Sequence, residues 1–115
     1  IDTLGALANN IYLMQLWLDN PAFLAKYKAA FGTETDPTNL TFAAMGYDAI
    51  KIVASLSEEL EKDAQGRPSG EALRAKIRTL QYSGITGTTQ FDSYGRSFKR
   101  EKLLKIEAGA FHLVK

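Results

Sequence analysis

The chain holds 115 residues, of which 45% are hydrophobic and 23% charged, with a formal net charge of +1 and no cysteine. That balance suits one folded domain with a modest core, argues against disorder, and includes no apolar run near the roughly 18 residues needed to span a bilayer. Near-neutral charge gives no pull toward nucleic acid or an anionic membrane, and the lack of cysteine removes disulfides, thiolate metal sites and cysteine catalysis.

Residues 2–8 fit a short helical turn. Asn10 to Leu18 (NIYLMQLWL) is a nearly continuous apolar run without caps, which predicts a buried strand. Asn20-Pro21 starts a helix, with Asn as N-cap and Pro at the first helical position. Phe23, Tyr27 and Phe31 recur every four residues and form one aromatic face, expected in the core, and Gly32 is the natural stop. Thr33 to Asn39, with Asp36-Pro37, reads as a loop. A long helix is expected from about Thr41 to Asp63, its apolar stripe being Phe42, Met45, Ala49, Ile52, Val53, Leu56 and Leu60. Gly66-Arg67-Pro68 breaks it, and Ser69 caps a third helix buried through Leu73, Ile77 and Leu80.

After Gln81 the pattern turns to strand. Ile85, Thr89 and Phe91 alternate along a strand interrupted by Gly87, and Asp92-Ser93-Tyr94-Gly95 is a turn. Leu104-Lys105-Ile106 and Phe111-His112-Leu113 alternate around Ala108-Gly109, the pattern of a hairpin. The amphipathic helices have no matching set of parallel strands to cover them. An α/β layer needs its sheet. The opening Ile1-Asp2-Thr3-Leu4-Gly5 also lacks an initiator Met and a signal-peptide pattern. Both features lead to the expectation that 1–115 is a single incomplete domain.

No catalytic constellation emerges, so the chain reads as no enzyme, with no cofactor and no metal site. His112, the lone histidine, is expected to face out from the hairpin. Glu58, Glu59 and Glu61 read as a solvated helix end. Asp92 reads as a turn residue accepting backbone hydrogen bonds, not as a calcium ligand. Gly84-x-x-Gly87 lacks the Lys and the following helix of a phosphate loop. Arg96, Lys99, Arg100, Lys102 and Lys105 form a basic cluster, read first as a solvated hairpin edge and second as a docking patch. Packing alone would put Phe42 in the core.

Three motifs together resemble the type I periplasmic substrate-binding proteins of the branched-chain amino acid ABC-transporter group. Asp19-Asn20-Pro21 through Phe23, Tyr27 and Phe31-Gly32 is similar to that group's "NP…F…Y…FG" helix. Ala43-Ala44-Met45-Gly46-Tyr47-Asp48-Ala49-Ile50 is similar to its "A…YDA" helix. Gly84-Ile85-Thr86-Gly87 followed by Phe91-Asp92 and Gly95 is similar to its "F.G..G…FD..G" segment.

The resemblance implies an α/β fold of two lobes joined by crossing strands, of which this chain would be the carboxy-terminal portion. Residues 10–83 would give a strand and helices of one lobe, 84–95 the crossover or hinge, and 96–115 a hairpin of the other lobe. It implies a periplasmic or extracellular protein, a cell-surface lipoprotein being one form, that captures a small amino acid-like ligand for a membrane permease. A ligand-sensing regulatory domain of the same fold is the alternative. Phe42 and Trp17 would be ligand-binding residues, and Gly84 and Gly87 hinge residues. Helix faces left without a sheet are expected to drive self-association.

Overall fold

Asn20 opens the first helix as its sequence requires. Its Oδ1 accepts from the Phe23 amide at 3.0 Å, and Pro21 supplies the preset φ of a first helical residue. The computed structural model describes residues 5–16, 18–32 and 37–114. In chain order its elements are a 3-10 turn (Gly5–Ala8), β1 (Tyr12–Gln15), α1 (Pro21–Phe31), α2 (Pro37–Glu59), α3 (Gly70–Arg78), β2 (Gln81–Gly84), β3 (Gly87–Gln90), β4 (Lys102–Glu107) and β5 (Ala110–Leu113). The chain divides into two units, 1–17 with 100–115, and 18–99.

The smaller unit is an antiparallel sheet of order β1-β4-β5. The expected hairpin around Ala108-Gly109 is present, with Leu104 opposite Leu113 and Glu107 opposite Ala110. Ala108 and Gly109 both have positive φ, 49° and 78°, which is the turn geometry that matches strand twist. Leu104 and Ile106 point to the buried side, while His112 is exposed, as its alternation required. β1 is shorter than the 10–18 run and pairs with β4, Leu13 opposite Leu104. It therefore joins the hairpin's sheet and not the unit of the helices with which the family resemblance groups it. The Asn10 amide and Ile106 carbonyl bond at 2.9 Å, continuing that pairing past the strand end.

In the larger unit α1 ends at Gly32, whose φ of 66° is left-handed and whose amide donates to the Lys28 carbonyl at 2.8 Å. Ser69 caps α3 through the Ala72 amide. The long helix is displaced from its expected span. It begins at Pro37, which needs no amide partner there, and ends at Glu59. Beyond this end Asp63 organises a turn, its Oδ1 accepting from the Gln65 and Arg67 amides, both at 2.9 Å.

The stripe of α2 is also rotated from the expected one. The buried positions are Leu40, Thr41, Ala44, Asp48, Ile52 and Leu56. Phe42, Ala49 and Val53 lie on the exposed side. Spacing by four defines the true stripe, but Thr41 and Asp48 interrupt it with polar groups, so hydropathy alone selects a neighbouring line. Leu18, Leu40 and Ala44 form the core cluster, flanked by Phe23, Leu24, Tyr27, Ala43 and Ile85. Phe23, Tyr27 and Phe31 do share a face, but Phe31 remains 65% exposed, so that face is covered only at its first turns. Of the loop expected over residues 33–39, residues 37–39 belong to α2 instead, and residues 33–36 lie outside the described residues, as do residues 2–4 of the first turn.

Residues 81–90 differ most from expectation. They form the β2–β3 hairpin, Gln81 opposite Gln90 and Gly84 opposite Gly87, in place of a single interrupted strand. Gln81 to Gly84 carries no apolar alternation, and the turn falls on Ile85-Thr86, which are not turn-forming residues by themselves. What bends the chain there is a contact from α2.

Candidate functional site

Asp48 lies mid-way along α2 and is 3% exposed. Its Oδ1 accepts from the Ile85 amide at 3.0 Å. Its Oδ2 accepts from the Thr86 amide at 2.9 Å and the Thr86 hydroxyl at 2.6 Å. The carboxylate thus takes both turn amides, which face away from the hairpin ladder, and satisfies them without water. Gly84 makes the approach possible. A Cβ at this position would fall on all three carboxylate atoms, well inside the 3.0 Å that real Cβ contacts respect. Gly87 is required for a different reason, its φ of 84°.

A second connection comes from Lys99. Its Nζ donates to the Thr88 carbonyl at 3.3 Å and to the Thr89 hydroxyl. Partial burial holds the Lys99 ammonium below its ordinary pKa, and attraction to Asp48 works against that shift. Lys99 is thus tied to the β2–β3 hairpin, which differs from the solvated basic edge that its charge cluster predicts. Arg96 and Lys105 are paired too, with Asp92 and Glu107. The Asp92 turn is as expected, its Oδ1 accepting from the Tyr94 and Arg96 amides at 2.9 Å each.

Beside the Ile85 turn, α1 and α2 form an open groove of about 630 Å³. Phe23, Tyr27 and Phe31 line it from α1, Tyr47 and Ile50 from α2, and Ile85 from the hairpin turn. The rings form a connected series, with centroids 4.6 Å apart for Tyr27–Phe31, 6.1 Å for Phe23–Tyr27 and 5.7 Å for the edge-on Phe23–Tyr47 pair. Lys26 and Lys51 stand among the lining residues, and among the described residues no carboxylate lines the groove. The groove can cover apolar surface. Among the described residues no cluster of three metal-ligating side chains occurs.

Phe42 is not part of that groove. It stands on the outer side of α2, 71% exposed, held there because its helix neighbours Thr41 and Ala44 are buried. Trp17, the other expected ligand contact, lies outside the described residues. Gly84 and Gly87 come together as the closing pair of one hairpin. Asp48 enters from sequence only as part of the YDA motif. Its structural role is signalled by an acid in the middle of an apolar four-residue spacing, two positions from Gly46.

No protein-family profile matches the chain, and no curated protein matches it by sequence. Solved structures do. The leucine-binding protein LivK of Thermotoga maritima superposes on 100% of this chain with a TM-score of 0.70 at 23% identity. The branched-chain amino acid transporter substrate-binding protein LivJ of Streptococcus pneumoniae, in complex with isoleucine, covers 93% with a TM-score of 0.64 at 28% identity. An ABC transporter substrate-binding protein of Desulfitobacterium hafniense, in complex with Leu, covers 93% at 0.67 and 21%. The chain is built like part of a type I substrate-binding protein. It spans about a third of these proteins, 33%, 31% and 32% respectively. In that substrate-binding-protein fold the mixed helices, antiparallel strands and hairpin form a recognised arrangement, and the Asp48 contact fixes one helix of it to one turn.

Proposed function

We propose that the chain is part of an exported solute-binding protein that takes up a small amino acid-like ligand for an ABC-type permease. The observation that carries this reading is the superposition of 100% of the chain on a leucine-binding protein and of 93% on a binding protein in complex with isoleucine. No helix among the described residues is long and apolar enough to cross a membrane, which is compatible with a periplasmic or extracellular place. In this reading Phe42 lines the ligand's apolar side, since an exposed aromatic on a rigid helix adds contact area with little ordering cost. Trp17 is the second, weaker contact. α2 and the Gly84–Gly87 turn move as one piece because Asp48 ties them, so the glycines serve lobe closure by seating the turn. The isolated chain self-associates through the α1–α2 groove.

The test is calorimetric titration of leucine, isoleucine, valine and benzoate into the longer protein that contains this chain, with and without Phe42→Ala. Binding of one of these, weakened about tenfold by the substitution, supports the reading. Absence of any heat or thermal shift with all four removes it.

A further inference from the structure

The solute-binding reading leaves one built surface unused, the groove between α3 and the 91–95 turn, of about 340 Å³. Leu73, Arg74, Ile77 and Arg78 recur at spacings of three and four, so one face of α3 presents both apolar and cationic groups to it. Phe91 and Tyr94 form the opposite wall. Leu73, Ile77 and Phe91 are half-buried, whereas Tyr94 is 82% exposed.

The charges of this groove are unbalanced. Arg67 and Arg96 each pair with an aspartate. Among the described residues neither Arg74 nor Arg78 has a carboxylate or a hydrogen-bond partner. Asp92, the acid of the facing turn, is already engaged by Arg96 at 2.9 Å. The turn is also preorganised. Asp92 fixes the Tyr94 and Arg96 amides, and the Arg96 guanidinium lies 5.0 Å from the Tyr94 ring centre.

We propose that this groove docks an acidic segment of a partner protein. An apolar side chain of the segment seats against Leu73, Ile77 and Phe91, and its carboxylates pair with Arg74 and Arg78. Arginine and tyrosine around an apolar centre are the composition of protein-binding hot spots, and guanidinium forks match carboxylates in geometry as well as charge. A small carboxylate fits less well. Pockets for such ligands bury roughly 70–90% of the molecule, while this groove is open and its cations sit on exposed side chains. A flat anionic bilayer would not reach the apolar residues between the two walls. The inference does not rest on solute binding.

The test uses the 115-residue chain and a fluorescein-labelled peptide of glutamates with interspersed leucines, followed by anisotropy, with the glutamine-for-glutamate peptide as comparison. The wild type is expected to bind the acidic peptide in a salt-sensitive way and the glutamine peptide at least about tenfold more weakly. Arg74→Glu/Arg78→Glu should weaken acidic-peptide binding at least about tenfold, and Arg67→Glu, outside the groove, should leave it unchanged. Arg74→Gln/Arg78→Gln serves in its place if charge reversal disturbs α3, as judged by circular dichroism. Amide shifts on binding should fall at Leu73–Arg78 and Phe91–Gly95. No binding, equal binding by the arginine variants, or equal binding of the glutamine peptide would overturn the proposal. So would displacement of the peptide by millimolar benzoate, or arginine-dependent adsorption to phosphatidylserine vesicles in place of peptide binding.

Discussion

The Asp48 carboxylate fills the space into which a side chain at Gly84 would project. The two residues are 36 positions apart by their numbers, 84 less 48, yet each defines what the other can be. Glycine at 84 lets the carboxylate reach the Ile85 and Thr86 amides, and those amides are what hold an acid on the buried stripe of α2.

A double-mutant cycle tests that dependence. Gly84→Ala should cost about 2 kcal/mol by overpacking. Asp48→Ala should cost about 3 kcal/mol, because it leaves the half-buried amides of Ile85 and Thr86 without their acceptor and removes the Thr86 hydroxyl's partner. Together they should cost clearly less than their sum, since removing the carboxylate removes the clash. Urea denaturation of the four proteins measures this, and strict additivity would contradict the contact. Faster hydrogen exchange at the Ile85 and Thr86 amides should accompany Asp48→Ala.

Ala108 offers a gain in stability. It adopts a φ of 49° at the first position of the β4–β5 turn, where a Cβ is strained and Asn is favoured. Ala108→Asn should stabilise the chain by about 1 kcal/mol and raise the melting temperature. The Ala108 amide bond to Asn9 Oδ1, at 2.9 Å, is a backbone contact and survives the change.

Asp92 predicts a pH dependence. Amide hydrogen bonding, led by Arg96, holds its carboxyl below the ordinary value of 3.8, against a smaller opposing effect of desolvation. The unfolded chain therefore takes up this proton first as pH falls. The contribution is complete above the unfolded pKa and is lost as pH drops through the folded one. Asp92→Asn should flatten stability against pH in that acid range, and leave a small loss near neutrality because the Arg96 pair goes too. Denaturation midpoints from about pH 6 to about pH 2 would show it.

The exposed α1–α2 groove predicts association. Light scattering of the 115-residue chain should give a mass above the monomer that rises with concentration. Ile50→Glu, on the exposed side of α2, should restore the monomer without loss of helix content. A monomer at all concentrations would exclude the groove as a contact surface.

Phe42 separates binding from stability. At 71% exposure, Phe42→Ala should shift stability by no more than about 0.5 kcal/mol. A weakened ligand response in the longer protein with an unchanged melting temperature would be the signature of a contact residue.

Much of this fold was legible from local chemistry. Asn20-Pro21 and Gly32 bound α1, Ser69 opens α3, Asp92 makes its own turn, and Ala108-Gly109 closes the hairpin, each through contacts within a few residues. The aromatic spacing of α1 was equally plain. The candidate site was less so. Composition marked Phe42 as a cleft residue only through a family likeness, and periodicity placed it on the wrong side of α2.

The short-range features, the caps, the turns and the helix content, follow from local sequence, because backbone donors find partners among near neighbours. The buried face of α2, the pairing of β1 with β4 and the folding back of residues 81–90 as a hairpin come from tertiary contacts, because they depend on groups far apart in the chain. One such group is the Asp48 carboxylate, whose burial needs Gly84 to make room for it.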